Sequence, residues 1–335
     1  MTFNGRHVAV SGATGFIGYH TCVALATAGA LVTALVRASS DTSHLRPLGI
    51  DIKIAPLDEP DLLATALRRN DILFHVAGVV DLNNDWEQCR QVNVRGTANI
   101  LRAASRSGVR RVVHVSSIVA VGASTNPERL DETAEWNLGV AQVPYVTTKH
   151  EGEQIALGLH DGLEVVVVNP ACVIGPDDFG SSEFGTMCRR FWRGRIPLVF
   201  GGGNNFVDVR DVAAGMLLAA QHGRPRERYI LGGTNRSYTA FHSDLAGAAD
   251  RPIPRLRVPA GLARVGAAIG DRVSKKHRKR PLLTASQARL LGLFFYFDCT
   301  KAQRELGYQI RPLRDSIADA YRFWVTDRGR DRRAA

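Results

Sequence analysis

The chain has 335 residues, 45% hydrophobic and 22% charged, which suits one large α/β domain with a smaller appended lobe. Its five cysteines, Cys22, Cys89, Cys172, Cys188 and Cys299, form no CxxC pair, which argues against zinc and disulfide frameworks and for a reducing compartment. The formal charge of +11 sits in residues 251–335, with 20 Lys/Arg against 7 Asp/Glu, while residues 1–250 carry a net −2; basicity of the whole chain is therefore no argument for nucleic-acid binding. The opening MTFNGRHVAV is too short and polar for a signal peptide, and no apolar run approaches about 18 residues, so a cytoplasmic protein without a membrane span is expected.

Strand and helix signals then alternate. His7–Val10 is a short apolar strand, Phe16–Ala28 a helix closed by Gly29, and Leu31–Val36 a second strand. Ile52–Ala55 is a third strand, Asp61–Arg69 a helix and Asp71–Val76 a fourth strand. Trp86–Ser107 reads as one long helix ended by Gly108, Val112–Val115 as the fifth strand, Pro144–Leu159 as a helix and Leu163–Val168 as the sixth strand. Aliphatic strands alternating with helices predict a Rossmann-type, doubly wound parallel sheet, each strand buried on both faces. After Asn169-Pro170 the pattern loosens: 175–205 has little periodicity, Arg228–Leu231 is one more core strand, and 236–297 reads as irregular helices and loops. Lys301–Leu306 and Leu313–Val325 are closing helices. The expected division is a cofactor-binding core over 1–174, rejoined by 206–232, and a substrate-binding lobe over 175–205 and 233–325, with 326–335 as a disordered tail.

The first turn, Ser11-Gly12-Ala13-Thr14-Gly15-Phe16-Ile17-Gly18, is a candidate phosphate cradle. Gly12 permits a tight turn, Gly15 lets the backbone approach a pyrophosphate, and Gly18 lets the helix pack close to the sheet. The helix start offers N–H groups and a positive dipole end to the phosphates. Three glycines are weak alone, but these follow a strand, open a helix and precede a second strand. An NAD site usually has an acidic residue at the end of that second strand. Here Val36 and Arg37 stand there, with Ser39 and Ser40 nearby, which favours the 2′-phosphate of NADP, with NAD as the alternative.

Tyr145 and Lys149 lie four apart, on one face of the predicted helix. A tyrosine hydroxyl has an unperturbed pKa of about 10, and a nearby ammonium lowers it. The spacing is common, but here it follows a fifth strand ending in Ser116-Ser117, where open α/β sheets bind their ligands. Asn93 reads equally well as a buried structural amide and as a contributor to catalysis.

Together these motifs resemble the extended short-chain dehydrogenases/reductases of the epimerase/dehydratase superfamily. The resemblance runs along nearly the whole chain, through Gly12–Gly18, His75-Val76-Ala77-Gly78, Asn93-Val94-Arg95-Gly96-Thr97, Ser116-Ser117, Tyr145/Lys149, Asn169-Pro170 with Gly175-Pro176, and Phe206–Val212. It implies Tyr145 as general acid/base, Lys149 as its activator and Ser117, ahead of Ser116, as the catalytic hydroxyl. The cofactor would meet Gly12, Thr14, Gly15, Phe16, Ile17, Gly18, Arg37, Ala77, Tyr145, Lys149, Pro170 and Val173, and no metal is implied. Relatives commonly have Asp-Leu after the third strand, against adenine; this chain has Pro56-Leu57, with Asp58 shifted along. The resemblance also implies a homodimer formed through the helices at about 86–107 and 144–159.

Within the superfamily, Val36-Arg37, Asn169–Pro176, Tyr296–Ala302 and Glu305–Tyr308 are similar to the dihydroflavonol reductase-like and 3β-hydroxysteroid dehydrogenase-like group. That implies alcohol–ketone interconversion on a bulky, apolar sterol-, hopanoid- or flavonoid-like small molecule. Leu290, Leu291, Leu293, Phe294 and Phe295 would line an apolar pocket or pack the lobe's own core. A nucleotide-sugar epimerase or dehydratase, with Arg189, Arg190, Arg193 and Arg195 on a diphosphate, is the second reading, and a non-catalytic NADP sensor the third. Val258–Asp271 reads as a short amphipathic helix running into the basic Arg272–Arg280. That segment reads first as solvated loop and second as a peripheral contact with anionic lipid.

Overall fold

The computed structural model describes residues 2–80, 85–158, 162–196, 198–253 and 284–327, with 256–258, 261–262, 266–267 and 270 between the last two stretches. The basic segment 272–280, most of the helix expected before it, and the tail from 328 lie outside the described residues.

Seven parallel strands form the central sheet: β1 His7–Ser11, β2 Leu31–Val36, β3 Asp51–Ile54, β4 Ile72–His75, β5 Arg111–Val115, β6 Glu164–Pro170 and β7 Arg228–Leu231. Their order is β3-β2-β1-β4-β5-β6-β7. The chain winds outward from β1 to β3, then crosses back to β4 and winds the other way, which opens a crevice between the C-terminal ends of β1 and β4. Register aligns those ends: Ser11 pairs with His75, His75 with His114, and Val115 with Val168.

Both faces of the sheet are covered, as the unbroken aliphatic strands require. Because side chains alternate, Val166 and Val168 enter a core shared with Val8, Val10, Phe74 and Met216, under the helices Phe16–Thr27 and Val209–His222. Val165 and Val167 enter the opposite core with Ala9, Leu73, Ile100 and Leu101, under Pro60–Leu67, Thr97–Arg106 and Pro144–Leu157. No helix among the described residues is long and apolar enough to cross a membrane.

The single helix expected over 86–107 is interrupted. α-Helix over Trp86–Cys89 and Thr97–Arg106 flanks a π-helical segment, Arg90–Gly96, a widening of the kind that sits at functional sites. Gly152 of the neighbouring helix presses on the Asn93 carbonyl there, so the close packing of two helices, which single-helix periodicity does not encode, accompanies the change.

The second lobe is more regular than its sequence suggests. Glu183–Trp192 is a helix capped by Ser182, and Tyr238–Ala249 a helix capped by Ser237. With Leu313–Tyr321 they enclose a third core containing Phe191, Trp192, Phe206, Phe241 and Trp324, where Phe206 and Phe241 stack at 3.8 Å. Gly203–Asp208 is a strand of a second sheet, paired with Cys172–Ile174, Thr234–Ser237 and Phe294–Phe297. Along that strand Phe206 packs into the third core and Val207 into the first, and the helix from Val209 continues on the first.

Candidate active site

The turn after β1 is shaped by what a side chain would strike. Gly12 is left-handed (φ +69°), and a Cβ on it would lie 2.6 Å from the Ala77 amide nitrogen. A Cβ on Gly18 would overlap the Gly12 carbonyl. Gly15 is the N-cap of Phe16–Thr27, with no side-chain cap and no acidic residue in the first turn. The amides of Phe16, Ile17 and Gly18 thus begin a helix without an internal acceptor, beside exposed Gly15 and half-buried Thr14. This is a cradle for a diphosphate, and it fits a dinucleotide cofactor. Arg37 stands exposed just beyond β2, its backbone amide donating to Ser40 Oγ at 3.3 Å. Leu57 packs on Gly96 and accepts from Asn99 Nδ2 at 2.9 Å through its carbonyl, while Asp58 is exposed.

A directed chain of hydrogen bonds ties this turn to the helices behind it. Ala77 N–H donates to Ser11 Oγ at 3.3 Å, and Ser11 Oγ lies 2.8 Å from His75 Nδ1. His75 Nε2 lies 3.2 Å from Thr97 Oγ1, which donates to the Asn93 carbonyl at 2.8 Å. The Thr97 hydrogen is thereby spent, so His75 Nε2 donates to it and Nδ1 accepts from Ser11. That makes His75 a neutral imidazole, in keeping with a pKa that burial pushes down to about 3.

Pro144 opens the next helix, where a missing N–H costs nothing and φ is preset. One turn apart on that helix, Tyr145 and Lys149 face the end of β5. The Ser117 side chain is close enough to the Tyr145 phenol to favour its ionised form, while Ser117 Oγ accepts from the Val119 amide at 3.4 Å. Lys149 Nζ donates to the Val115 carbonyl at 2.7 Å, and burial brings its pKa down to about 8, against the opposing pull of Glu153. Tyr145 departs from the expectation of an acidified phenol. Burial raises its pKa more than the nearby Ser117 side chain lowers it. The physical reason is burial, which disfavours the charged phenolate. Burial thus favours the protonated phenol.

Ser117 and Ser116 separate cleanly. Ser117 reaches Tyr145, while the Ser116 hydroxyl is buried with no protein partner. The carboxamide of Asn93 clasps the Val79 backbone from both sides, accepting from its N–H at 2.9 Å and donating to its C=O at 3.1 Å, and also donates to Thr148 Oγ1. It fixes the loop that follows Ala77. Pro170 ends β6 and Val173 is half-buried on the strand Cys172–Ile174, opposite Val207.

Three residues absent from the sequence reading of the site stand next to it. Glu153, fully buried, accepts from Asn169 Nδ2 at 2.5 Å and pairs with Arg228 at 3.1 Å, and His114 is buried beside His75. Glu153 continues the four-residue spacing of Tyr145 and Lys149, the one signal that pointed to it.

The apolar run of the lobe is mostly packed and its basic run mostly exposed. Arg189 lies over the Trp324 ring at 4.9 Å, while Arg190, Arg193 and Arg195 are exposed. Phe295 is buried in the first core and Leu290 packs against it. Leu293 alone of that run borders a groove of about 760 Å³, walled also by Leu130, Leu138, Val140 and Ala141 with Ser124, Asn137, Gln142 and Arg289. The groove thus takes walls from the chain shortly after Ser117 and shortly before Tyr145.

Comparison with known proteins agrees with this geometry. Residues 8–232 match the model of the NAD dependent epimerase/dehydratase family. A protein of Synechocystis sp., provisionally named a dihydroflavonol 4-reductase, is 34% identical over 326 residues, covering 96% of this chain and 94% of that one. Sterol demethylase protein B of Methylococcus capsulatus is 33% identical over 326 residues, covering 96% and 98%. The crystal structure of gox2253 superposes with a TM-score of 0.86 at 32% identity, over 97% of this chain and 99% of that one. A turn shaped for a dinucleotide, a tyrosine–lysine pair at the strand ends and a family match over both place the chain in the NAD dependent epimerase/dehydratase family, as an NAD(P)-dependent oxidoreductase of the extended short-chain type.

Proposed function

We propose that the protein is an NADP(H)-dependent reductase/dehydrogenase that interconverts a ketone and a secondary alcohol on a bulky, mostly apolar substrate. The observation that carries this reading is the grouping at the end of β5, where Lys149 Nζ donates to the Val115 carbonyl at 2.7 Å and Tyr145, one helical turn before it, has the Ser117 side chain acting on its phenol. When bound, the nicotinamide gives or takes up a hydride. The chain's residues handle the proton: Tyr145 donates it to the nascent alkoxide oxygen in reduction and accepts it in oxidation. Ser117 orients the phenol and shares the substrate oxygen, and Lys149 supplies positive charge beside the phenolate left after transfer.

Two further features support the choice of partners. Arg37 is exposed where an NAD site usually keeps a carboxylate, so a charge-assisted bond to a 2′-phosphate is open to it. The aliphatic half of the wall of the 760 Å³ groove, Leu130, Leu138, Val140 and Leu293, suits the body of a polycyclic substrate, with Glu128, Asn137 and Arg289 on the polar half. The names of the relatives from Synechocystis and Methylococcus point toward flavonoid- and sterol-like molecules. We place the smaller lobe over that substrate and expect a homodimer, checked by light scattering at micromolar concentration; a strict monomer would remove it.

The test is NADPH oxidation against a panel of steroid, triterpenoid and flavonoid ketones, run beside a panel of nucleotide sugars with both cofactors. Turnover confined to nucleotide sugars would replace this reading with an epimerase or dehydratase.

A further inference from the structure

Residues 137–142 form one wall of the groove beside the proton-transfer site, and Trp136 and His150 are not among the residues that line it. Next to that wall the two rings lie face to face, their centroids 3.9 Å apart and their planes within 1° of parallel. Both are half-buried. His150 belongs to the helix Pro144–Leu157, directly after Lys149, and Trp136 to the chain that leads into the wall. Each ring also turns its polar edge to the chain that follows Ser117. Trp136 Nε1 donates to the Val119 carbonyl at 3.0 Å. His150 Nδ1 lies 3.3 Å from the Ala120 carbonyl, which can only accept, so Nδ1 carries the hydrogen.

We propose that the stacked Trp136–His150 pair is the seat of the groove wall, and that the two rings are positioning residues that hold the body of the substrate in line with Tyr145. The proposal rests on the reading of the protein as a ketone reductase whose apolar substrate occupies that groove.

The wall is fastened along its length. A Cβ on Gly139 would lie 3.2 Å from Cζ3 of Trp136, so the indole edge sits directly on the chain next to Val140. Asn137 clasps the backbone of Ala123, accepting from its N–H at 3.1 Å and donating to its C=O at 2.7 Å. Arg289 Nη1 donates to the carbonyls of Ala141 and Gln142 at 3.2 and 2.9 Å. Those contacts join the wall to the rest of the rim, and the stack joins it to the helix that carries Tyr145 and Lys149. Ser117 is anchored separately: Asn169 Nδ2 donates to its carbonyl at 3.0 Å, and the Ser116 amide donates to the Val168 carbonyl at 2.8 Å. Loosening the rings should therefore shift the wall and leave the proton-transfer groups in place. Packing alone would be met by two apolar side chains. The amides of Val121 and Gly122 both go to the Ile118 carbonyl, which leaves the Val119 and Ala120 carbonyls to side-chain donors. Two stacked rings that each serve one of these consecutive carbonyls define one placement of the wall against the helix.

The test is steady-state reduction, by NADPH, of whichever steroid, triterpenoid or flavonoid ketone the unaltered full-length protein turns over fastest. His150→Ala removes the ring beneath Trp136. KM for that ketone should rise by about two- to tenfold, the scale of one aromatic pair, with kcat and NADPH affinity little changed. His150→Phe keeps the ring face and loses the N–H, and should restore most of the lost affinity. An unmoved KM in a folded His150→Ala protein overturns the proposal. So does a fall in kcat or in NADPH affinity as large as the rise in KM, which marks a general loosening of the fold, and so does a His150→Phe protein as impaired as His150→Ala. If His150→Ala does not fold, Trp136→Phe, which thins the stack and drops the bond to Val119, is read in its place by the same KM-against-kcat criterion. An unaltered protein that reduces none of these ketones fails the reading on which the proposal stands, before any variant is made, so the two failures are distinguishable.

Discussion

The sheet edge around Gly12–Gly18 and the lobe built on 183–192, 238–249 and 313–321 are organised by different constraints. At the sheet edge the backbone itself is the binding surface. Gly12 must be left-handed, Gly18 must let a helix cross its own turn, and Ala77 must come within contact of both Gly12 and Ser11. In the lobe side chains do the work: Trp192, Phe206, Phe241 and Trp324 fill a core, and side chains of residues 123–142 with Leu293 and Arg289 wall the groove. A backbone site tolerates few residue types at fixed positions; a side-chain site tolerates many. The first half should therefore fail in binding and chemistry when altered, and the second in substrate choice.

The largest effect belongs to Tyr145. Tyr145→Phe should lower turnover by about 10² or more, the scale of a lost general acid, with cofactor affinity retained because the phosphate turn is untouched. Near-normal turnover in steady-state kinetics would refute the assignment. The pH profile carries a sign. Lys149 loses its proton as pH rises through about 8, so kcat should fall on the alkaline side of that value, and a plateau to pH 10 would contradict the role of the ammonium. Next comes Gly12→Ala. It adds a Cβ in a left-handed conformation, 2.6 Å from the Ala77 nitrogen, a strain of about 1–3 kcal/mol. Calorimetric titration should show NADP and NAD weakened together, by about tenfold or more; affinity for both unchanged would mean the turn is not the phosphate cradle.

These two regions were also unequally legible in the sequence. β2 and β7 have the predicted bounds, and other strands of the central sheet differ by a residue or two, because aliphatic runs between glycine turns have few alternatives. Tyr145, Lys149 and the glycines were visible because each stands at an obligatory spacing, and tyrosine is scarce in this chain. The helix Tyr238–Ala249 was not visible: its large buried apolar side chains are only Phe241 and Leu245, Ser243, Gly247 and the buried His242 interrupt the pattern, and its burial comes from partners distant in sequence. The π-helical turn around Asn93 was hidden for the same reason, since it accompanies close packing with Gly152. The raised pKa of Tyr145 comes from its burial in the folded chain, which spacing alone does not supply.

Arg37 tests the cofactor half more finely. Arg37→Ala should weaken NADPH by about 1.5–3 kcal/mol, one charge-assisted bond, or roughly tenfold to a hundredfold, and leave NADH almost unchanged. Equal losses for both nucleotides would mean that Arg37 acts on the fold or on a shared part of the cofactor, and no loss would leave it a solvated loop cation.

The smallest effect is the one that separates the halves. Val140 is 93% exposed on the rim of the groove, on the segment that leads into Tyr145. With almost no area buried in the free protein, Val140→Asp should change folding stability by no more than about 0.5 kcal/mol and leave NADPH affinity as it was. If an apolar substrate covers that rim, the substitution removes the gain from covering a valine, about 1.5 kcal/mol at most, and sets a carboxylate against the hydrocarbon. KM for an apolar ketone should then rise by about tenfold, with kcat little changed, because the contact is the same in ground and transition states. An unaltered KM would place the substrate elsewhere in the lobe, and a fall in kcat without a change in KM would show that the segment 137–142 acts on Tyr145 rather than on the substrate.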